Sequence, residues 1–255
     1  LGPPLPASAR SVAFSDDGKT LAVGSKDQVS LWDVASRSRV AEFASRGDVF
    51  ALAFSPDGRT LAAADSGKSA ERDAGLILWD VRQSRLIGER LSTNWYGVYA
   101  LAFSPDGHML AAAGDEVVLW DPARRQTLGE PIQTDSSTGV AFGAGGDTLA
   151  AIVNAKHAAI LWTTARRKPI GEPFTSTISD YSERLTSIAI GKDDQWLAAG
   201  RADGTIVLWD ISLDRWMQRA CDVAGRNLTS KEWGQYVGEE VPYVAACPDL
   251  PVLAS

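Results

Sequence analysis

Cysteine and histidine are almost absent from this sequence, which holds two of each among 255 residues. So few cysteines exclude a disulfide-dense secreted scaffold and a cysteine-rich zinc fold. Cys221 and Cys247 are expected to lie close enough for a disulfide under oxidation, yet to remain thiols that make apolar contacts in a reducing compartment. The scarcity predicts a cytoplasmic protein with no metal and no cofactor.

Long hydrophobic runs and an excess of basic charge are also missing. No stretch approaches the roughly 18 apolar residues of a membrane helix, and three prolines among the first six residues are unlike a signal peptide. The formal net charge is −7, so no general attraction draws the surface toward nucleic acid or acidic lipid. The expected partners are proteins, with no nucleic acid and no membrane.

Internal repetition is what the chain has in abundance. Five units lie near residues 11–43, 51–91, 100–132, 139–174 and 187–212, and equivalent positions are 39 to 49 residues apart. The early anchors are Phe14, Phe54, Phe103, Phe142 and Ile190, and the late anchors are Trp32, Trp79, Trp120, Trp162 and Trp209. This period predicts one four-stranded sheet per unit, with the aromatic anchors in the core.

The second unit shows how each sheet is built. Its first apolar run ends in Phe54 and is followed by Ser55-Pro56-Asp57-Gly58, which are the residues of a tight hairpin turn. The strands predicted at 60–64 and 76–79 are apolar on both faces, as expected for a sheet held between two neighbouring sheets. A generic β-sandwich, the alternative, predicts polar residues at every second position and no fixed period.

A further pattern follows most of the late tryptophans and predicts a fourth, outer strand. It reads Ile87-Gly88-Glu89 in the second unit, and similar residues follow Trp120 and Trp162. Proline within it is tolerated because an edge strand need not donate every hydrogen bond. Residues 1–6 match the pattern and the fifth unit lacks it, so residues 1–6 are expected to be an outer closing strand.

The repeated AFSPDG, LA-A and LWD patterns resemble the bacterial branch of the WD-repeat family over residues 1–214. The resemblance implies an all-β WD-repeat β-propeller, with five recognisable four-stranded blades that form all or part of a ring. Family rings commonly carry seven blades. The family's Gly-His pair is absent from every unit, so its buried polar network cannot form and the blades are expected to rely on packing.

Residues 215–255 break the period and predict a short helical appendage. A helix is expected from Arg215 to Arg226, ending at a glycine, and the capping-box pattern at 229–232 predicts a second helix through Trp233 and Tyr236. This segment resembles the C-terminal end of bacterial WD-repeat sensors fused to STAND-type NTPases, kinases or proteases. That resemblance implies an effector domain preceding Leu1 in a parent protein.

Motifs that could carry chemistry are weak. Residues 62–69 imitate the end of a phosphate-binding loop but lack its first glycine and a following helix. His108 and His157 have no serine or cysteine in a nucleophile context. An enzyme with its active site in the central channel would need titratable groups on the inner strands, which offer almost none, so we expect no enzyme.

Loop lengths indicate where a partner would bind. The second unit has surplus residues at 65–75, and another surplus surrounds 175–184. Strand order places both loops on one end of the propeller, together with an adjacent pair of loop aromatics. The candidate partner-binding residues are Asp65, Lys68, Glu71, Arg72, Asp73, Asn94, Trp95, Tyr96, Asp180, Tyr181, Glu183 and Arg184. Neutral drift in loop length is the alternative.

The function predicted from these features is non-catalytic protein recognition. The chain would be the sensor or autoinhibitory end of a multidomain bacterial signalling or defence protein. One alternative is a structural scaffold for self-assembly of the parent protein, and another is a propeller enzyme with a central-channel active site.

Overall fold

The structure, a computed structural model, describes residues 5, 8–67, 73–93, 95–175, 184–232, 244, 245, 247, 250 and 251. Blade one contains β1 (Ser11–Phe14), β2 (Thr20–Gly24), β3 (Lys26–Asp33) and the first part of β4 (Ser38–Phe54). The last part of β4 is the inner strand of blade two, which continues with β5 (Thr60–Asp65), β6 (Gly75–Asp80), β7 (Arg85–Leu86) and β8 (Leu91–Ser92). One strand thus joins the first two blades.

The other blades repeat the antiparallel order from an inner to an outer strand. Blade three contains β9 (Ala100–Phe103), β10 (Leu110–Ala113), β11 (Val117–Asp121) and β12 (Gln126–Thr127). Blade four contains β13 (Val140–Phe142), β14 (Thr148–Val153), β15 (Ala158–Thr163) and β16 (Pro169–Thr175). Blade five contains β17 (Leu185–Ile190), β18 (Trp196–Arg201) and β19 (Ile206–Asp210). The all-β propeller architecture is confirmed.

The Ser-Pro-Asp-Gly turn is held by its own side chains. In blade two the Ser55 hydroxyl donates to Asp57 Oδ1 (2.6 Å), which also accepts from the Arg59 amide (3.0 Å). The Thr60 amide donates to Ser55 Oγ (2.9 Å), and Gly58 takes the left-handed conformation with φ 66°. The Ser55 hydroxyl lowers the pKa of Asp57, and the corresponding turns of blades one and three make the same bonds.

The turns of blades four and five depart from this sequence and are hydrogen-bonded to each other. Blade four has Gly143 and Gly145 in place of the capping serine and aspartate. Asp194, in blade five, occupies the glycine position at φ 54°. Its carboxylate accepts hydrogen bonds from the amides of Ala144 (2.7 Å) and Gly145 (3.4 Å) across the blade junction. The Asp194 side chain therefore links the two turns, because it binds two backbone amides of the turn in blade four.

The core lies between blades rather than within one. Alanines in the second strand alternate their direction, so Ala62 and Ala64 pack toward blade three while Ala63 packs toward blade one. The late tryptophans of blades one to four are buried and Trp209 is half-buried. Phe54 and its equivalents in blades three and four are half-buried, but Phe14 is exposed. The core assignment of Phe14 is wrong because its side chain lies on the face of blade one that points away from blade two.

The shared isoleucine-glycine-glutamate pattern forms part of the outer strand β16 in blade four, as predicted, but interrupts or follows the outer strand in blades two and three. Gly88 has φ 66° and lies between β7 and β8, and Gly129 has φ 67° and follows β12. A Cβ on Gly88 would lie 2.1 Å from the Arg125 guanidinium of the next blade, and one on Gly129 would lie 2.4 Å from Arg167. Glycine is favoured at both positions because the backbone takes the left-handed conformation, and the arginine of the following blade packs against it.

The two ends of the blades differ. The upper end carries the loops between second and third strands and the connections to the next blade, and the lower end carries the Ser-Pro-Asp-Gly turns. Most of the predicted closing strand at 1–6 lies outside the described residues, and Leu5, which is described, is not in a strand. Blade five has three strands within the part of the chain that the structure describes.

The C-terminal segment follows blade five at the lower end. The helix α1 spans Leu213–Ala224, and the amide of Gly225 donates to the Cys221 carbonyl. The Thr229 amide donates to the Glu232 carboxylate (2.9 Å) and the Glu232 amide donates to Thr229 Oγ1 (3.2 Å), which is the predicted capping box. Trp233 and Tyr236, expected in the helix that it opens, lie outside the described residues.

Cys221 and Cys247 form a disulfide with their Cα atoms 5.6 Å apart. The prediction that the two cysteines lie close together is confirmed. The structure contains the oxidised pair, whereas thiols were expected in a reducing compartment. Asn227 holds that return, since its side-chain Nδ2 donates to the Cys247 carbonyl (2.6 Å) and its Oδ1 accepts from the Cys247 amide (2.8 Å).

Candidate functional site

The long loop after β5 is anchored at the upper end by a buried ion pair. Asp65 is 0% exposed, and its Oδ1 accepts hydrogen bonds from Arg90 Nε (2.9 Å) and Nη2 (2.5 Å). Arg90 Nη1 also binds Asp73 Oδ1 (3.2 Å) at the far end of the loop. One guanidinium therefore ties the start of the loop to its end.

Backbone and hydroxyl donors complete the shell around the same carboxylate. Its Oδ2 accepts from the Arg46 amide (3.1 Å) and the Ser45 hydroxyl (3.2 Å), and its Oδ1 also accepts from the Gly67 amide (3.2 Å). The assignment of Asp65 as a partner-contacting residue is wrong, because burial leaves its carboxylate no access to a partner. Asp73 stays accessible, while Lys68, Glu71 and Arg72 lie outside the described residues.

The adjacent loop aromatics have opposite environments. Trp95 is 8% exposed and packs in the apolar cluster between blades two and three. A Cβ on Gly114 would lie 2.5 Å from its ring, so blade three accommodates the indole only with a glycine there. Tyr96 is 61% exposed. The prediction of an exposed aromatic pair is therefore wrong for Trp95 and confirmed for Tyr96, and Asn94 lies outside the described residues.

A row of residues that the sequence analysis missed lines the inner edge of the upper end. Each member stands one position before the repeated inner-strand motif, and we name this set the leading row: Arg10, Phe50, Tyr99, Thr138 and Thr186. Arg10 Cζ lies 5.8 Å from the centroid of the Phe50 ring, and the Phe50 and Tyr99 ring centroids are 6.3 Å apart. The members from blades one, two and three are therefore in contact. The fixed position before each motif was the signal that could have revealed the row.

The leading row begins with a charged residue in blade one, continues with aromatic residues in blades two and three, and ends with threonines in blades four and five. Arg10 also pairs with Asp48 through Nη2 and Oδ2 (3.0 Å), so a cation and an anion border the aromatic part. Tyr99 is exposed, and Tyr96 lies in the same connecting loop between blades two and three. Aromatic area with a charged border is the usual composition of a protein interface.

The row continues into a cleft of about 370 Å³ between blades four and five. Thr138, Asn154, His157, Arg184, Leu185 and Thr186 line this cleft. The Thr138 hydroxyl donates to Asn154 Oδ1 (3.2 Å), and Asn154 Nδ2 donates to Ser136 Oγ (3.1 Å), which fixes the amide orientation. Arg184, one of the candidate partner-binding residues, is exposed at the cleft edge, while Asp180, Tyr181 and Glu183 lie outside the described residues.

The lower end has a wider groove of about 610 Å³ between blades two and three. His108 lines it, and its backbone amide donates to Asp106 Oδ1 (2.9 Å). The hydroxyls of Ser55 and Ser104 in this groove donate to the turn aspartates. The serine hydroxyls in the groove therefore stabilise the turns. Among the hydrogen bonds that the structure describes, no serine there has a histidine as its acceptor.

Two general features complete the description. Within the described residues, no group of three histidine, cysteine or acidic side chains could hold a metal ion. No helix in the described part of the chain is long and apolar enough to cross a membrane.

Comparison with known proteins finds both sequence relatives and similar structures. Pre-mRNA-processing factor 19 homolog 2 of Arabidopsis thaliana is 37% identical over 86 residues, which are 33% of this chain and 15% of that protein. Periodic tryptophan protein 2 homolog of Schizosaccharomyces pombe is 36% identical over 77 residues, which are 29% of this chain and 8% of that protein. The chain spans a small part of the length of these curated relatives.

Two solved structures illustrate the similarity of fold. The β-propeller domain of Myceliophteria thermophila Cps50 (Swd1) matches with a TM-score of 0.67 at 22% identity, covering 80% of this chain and 66% of that chain. Kuenenia stuttgartiensis hydrazine synthase matches with a TM-score of 0.65 at 20% identity, covering 79% of this chain and 57% of that chain. At these identities the similarity shows the fold alone.

The family comparison agrees with the repeat pattern. The model of the WD domain, G-beta repeat family matches residues 6–33, 37–80, 88–121 and 173–210, together more than half of the chain. The match omits most of the fourth unit, whose Trp162-Thr163 and glycine-rich turn depart from the motif, although the structure gives it four strands. The chain therefore belongs to the WD domain, G-beta repeat family.

Proposed function

We propose that this chain is a protein-recognition module whose partner binds the upper end, across Tyr96, the leading row and the anchored loop after β5. The observation that carries the proposal is the contact series of Arg10, Phe50 and Tyr99 beside the exposed Tyr96. Aromatic side chains lose little conformational entropy on binding and dominate interface energetics. Repeats of this family generally mediate protein–protein interaction, which supports the same reading.

Rigid support of this surface is a second argument. The loop after β5 is tied by Arg90 at both of its ends, and Trp95 fixes the neighbouring loop in the core between blades. A surface held in place before binding loses less entropy when the complex forms. The inner strands that the structure describes carry no titratable side chain, which favours recognition over catalysis in the channel.

The finer role that we propose is that of a sensor or autoinhibitory segment in a multidomain bacterial signalling or defence protein. It rests on the resemblance of residues 215–255 to the C-terminal end of such proteins. In an autoinhibited protein the partner on the upper end would be another domain of the same polypeptide.

The test compares variants at the two ends of the propeller. Tyr96→Ala combined with Tyr99→Ala removes exposed aromatic area at the upper end, and His108→Ala alters the lower groove as a matched control. We expect a purified partner to lose at least about 30-fold in affinity with the double variant, the equivalent of about 2 kcal/mol for a hot spot. The control should bind like wild type. Binding that survives the double substitution and fails with His108→Ala would place the interface at the lower end instead.

A further inference from the structure

An aspartate follows the late tryptophan in four of the five blades and caps the chain where it turns back at the lower end. In blade three, Asp121 Oδ1 accepts hydrogen bonds from the amides of Ala123 (2.9 Å) and Arg124 (2.8 Å). The Arg124 amide lowers the pKa of Asp121, so the amides of this turn favour a negative charge. The corresponding bonds in the other three blades join Asp33 to the Ser36 amide (2.7 Å), Asp80 to the Gln83 amide (2.8 Å) and Asp210 to the Ser212 amide (3.0 Å).

Blade four keeps the conformation of this turn without the carboxylate. Thr163 stands at the position that Asp121 holds in blade three. The Arg167 amide donates to the Thr163 carbonyl (2.8 Å), as the Arg125 amide does to the Asp121 carbonyl (2.7 Å). Both arginines take the left-handed conformation, with φ of 51° and 58°. The backbone of blade four is therefore arranged as if the aspartate were present.

Two amides of this turn lack the acceptor that the other blades supply. Ala165 and Arg166 occupy the positions of Ala123 and Arg124, and in the described part of the chain neither amide has a hydrogen-bond acceptor. Thr163 does not replace the aspartate, because its hydroxyl is buried and makes no hydrogen bond within the described residues. Ala165 and Arg166 are both exposed, so an anion from solution can reach the turn.

The side chains of the same turn add positive charge. In blade three, Arg124 Nη1 pairs with Asp121 Oδ2 at 2.8 Å. Blade four has Arg166 at the arginine position and adds Lys168 where blade three has Gln126. Both cations are exposed, and among the residues that the structure describes no carboxylate lies within ion-pair distance of either. Two cations therefore flank two amides, with no acid of the described chain to neutralise them.

This set of donors matches a dianion better than a carboxylate. Blade three balances one carboxylate with two amides and one arginine, whereas blade four offers two amides and two cations. A phosphate monoester has a second pKa of about 6, so it carries close to two negative charges near neutral pH, and it has three acceptor oxygens. Successive backbone amides with flanking cations are a common way to hold such a group.

We propose that the turn at residues 163–168 of blade four binds a phosphate group, whose oxygens accept from the two amides in place of the missing aspartate. Arg166 and Lys168 pair with the remaining negative charge. The turn lies at the lower end, so this site is separate from the upper-end surface of the proposed function. A free phosphate ion and a phosphorylated side chain of another protein present the same chemistry.

The test titrates the full chain with inorganic phosphate and with a blocked phosphoserine tripeptide, by calorimetry at low ionic strength. Thr163→Asn places an oxygen of the chain itself on the amides without changing the net charge, and Thr163→Asp restores the residue of the other blades. Thr163→Val is the matched control, since it removes only a hydroxyl that makes no described hydrogen bond. Arg166→Gln combined with Lys168→Gln removes the cations, with Lys156→Gln at the upper end of blade four as its control.

Wild type and Thr163→Val should bind with equal affinity. Thr163→Asn, Thr163→Asp and the double cation variant should bind at least about tenfold more weakly, which corresponds to about 1.4 kcal/mol. Thr163→Asp should unfold at or above the wild-type temperature, because its carboxylate caps the turn, and this separates lost binding from misfolding. Tighter binding of the peptide than of inorganic phosphate would support a protein-borne phosphate, and equal affinity would support the free ion.

Three results would overturn the proposal. The first is a wild type that binds neither probe. The second is a Thr163→Asn variant that binds like wild type, because the phosphate would then lie away from the two amides. The third is an equal loss of affinity in Lys156→Gln and in the double cation variant, because general charge attraction would then explain the binding.

Discussion

Replacing Asp65 by asparagine tests whether the buried pair anchors the upper loop. The substitution keeps the size of the side chain and removes its charge. The carboxylate accepts from Arg90 Nε and Nη2, from the amides of Arg46 and Gly67 and from the Ser45 hydroxyl. Every one of these groups is a donor, so either orientation of the asparagine amide directs its NH2 group at other donors.

The expected cost of Asp65→Asn is about 3 kcal/mol or more of unfolding free energy, because removing one partner leaves the buried Arg90 charge with less compensation. Arg90 retains its bond to Asp73, which keeps the cost toward the low end of the range of about 3–5 kcal/mol for breaking a buried pair. Urea unfolding followed by tryptophan fluorescence measures the change. Upper-end partner binding should weaken in the same variant, since the start of the loop loses its ionic bond to Arg90 while the far end keeps the bond to Asp73.

Glu42→Gln provides the control, because Glu42 pairs with Arg39 at 2.5 Å while both side chains remain largely exposed. An exposed pair contributes about 0–1 kcal/mol, so this variant should unfold like wild type. A cost below about 1 kcal/mol for Asp65→Asn, equal to that of the control, would refute the argument that burial makes this pair structurally decisive.

Three further predictions test packing, turn chemistry and the tail. Trp95→Ala should lower stability by about 3–5 kcal/mol in urea unfolding because its ring is buried between blades; an unchanged midpoint would contradict that role. Asp194→Ala should lower the free energy of unfolding by about 2 kcal/mol and Asp194→Gly by about 1 kcal/mol. Both variants lose the hydrogen bonds to the turn of blade four, but glycine adopts the left-handed backbone without strain. Equal losses in the two variants would exclude a backbone contribution. Bonding to Arg226 lowers the pKa of Glu232 from 4.5 to about 2. Its contribution to tail stability should therefore be full above about pH 4.5 and be lost as the pH falls toward 2. Glu232→Gln should remove that pH dependence of thermal unfolding, and an identical acid profile in both proteins would contradict it.

The sequence by itself determined the repeat, the strand order and the turns. Those features depend on local chemistry: Pro56, Asp57 and Gly58 close a turn whatever surrounds them, and Ser212 to Gly225 encode a helix with both of its ends. The capping box at Thr229 and Glu232 was predictable for the same reason. Each of these signals lies within a few residues of the structure that it specifies.

Tertiary structure decided which residues of the site are exposed. Trp95 and Tyr96 are neighbours in a polar loop, and only the approach of blade three at Gly114 buries the first and leaves the second in solvent. The sequence around Asp65 predicts an exposed loop residue, but Arg90, 25 positions later, packs onto its carboxylate in the folded chain. Contacts between blades join positions far apart in the chain, and no local pattern encodes which side of a sheet will meet a neighbour.

The dependence of burial on contacts between blades also explains why Phe14 is exposed. Phe14 has the sequence context of its buried equivalents, because the repeat gives every blade the same apolar positions on both sides. Whether such a position is buried or exposed depends on whether another sheet packs next to it, which is a property of the tertiary structure. The sequence therefore determined which side chains are apolar, and the packing of blade on blade decided which of them are covered.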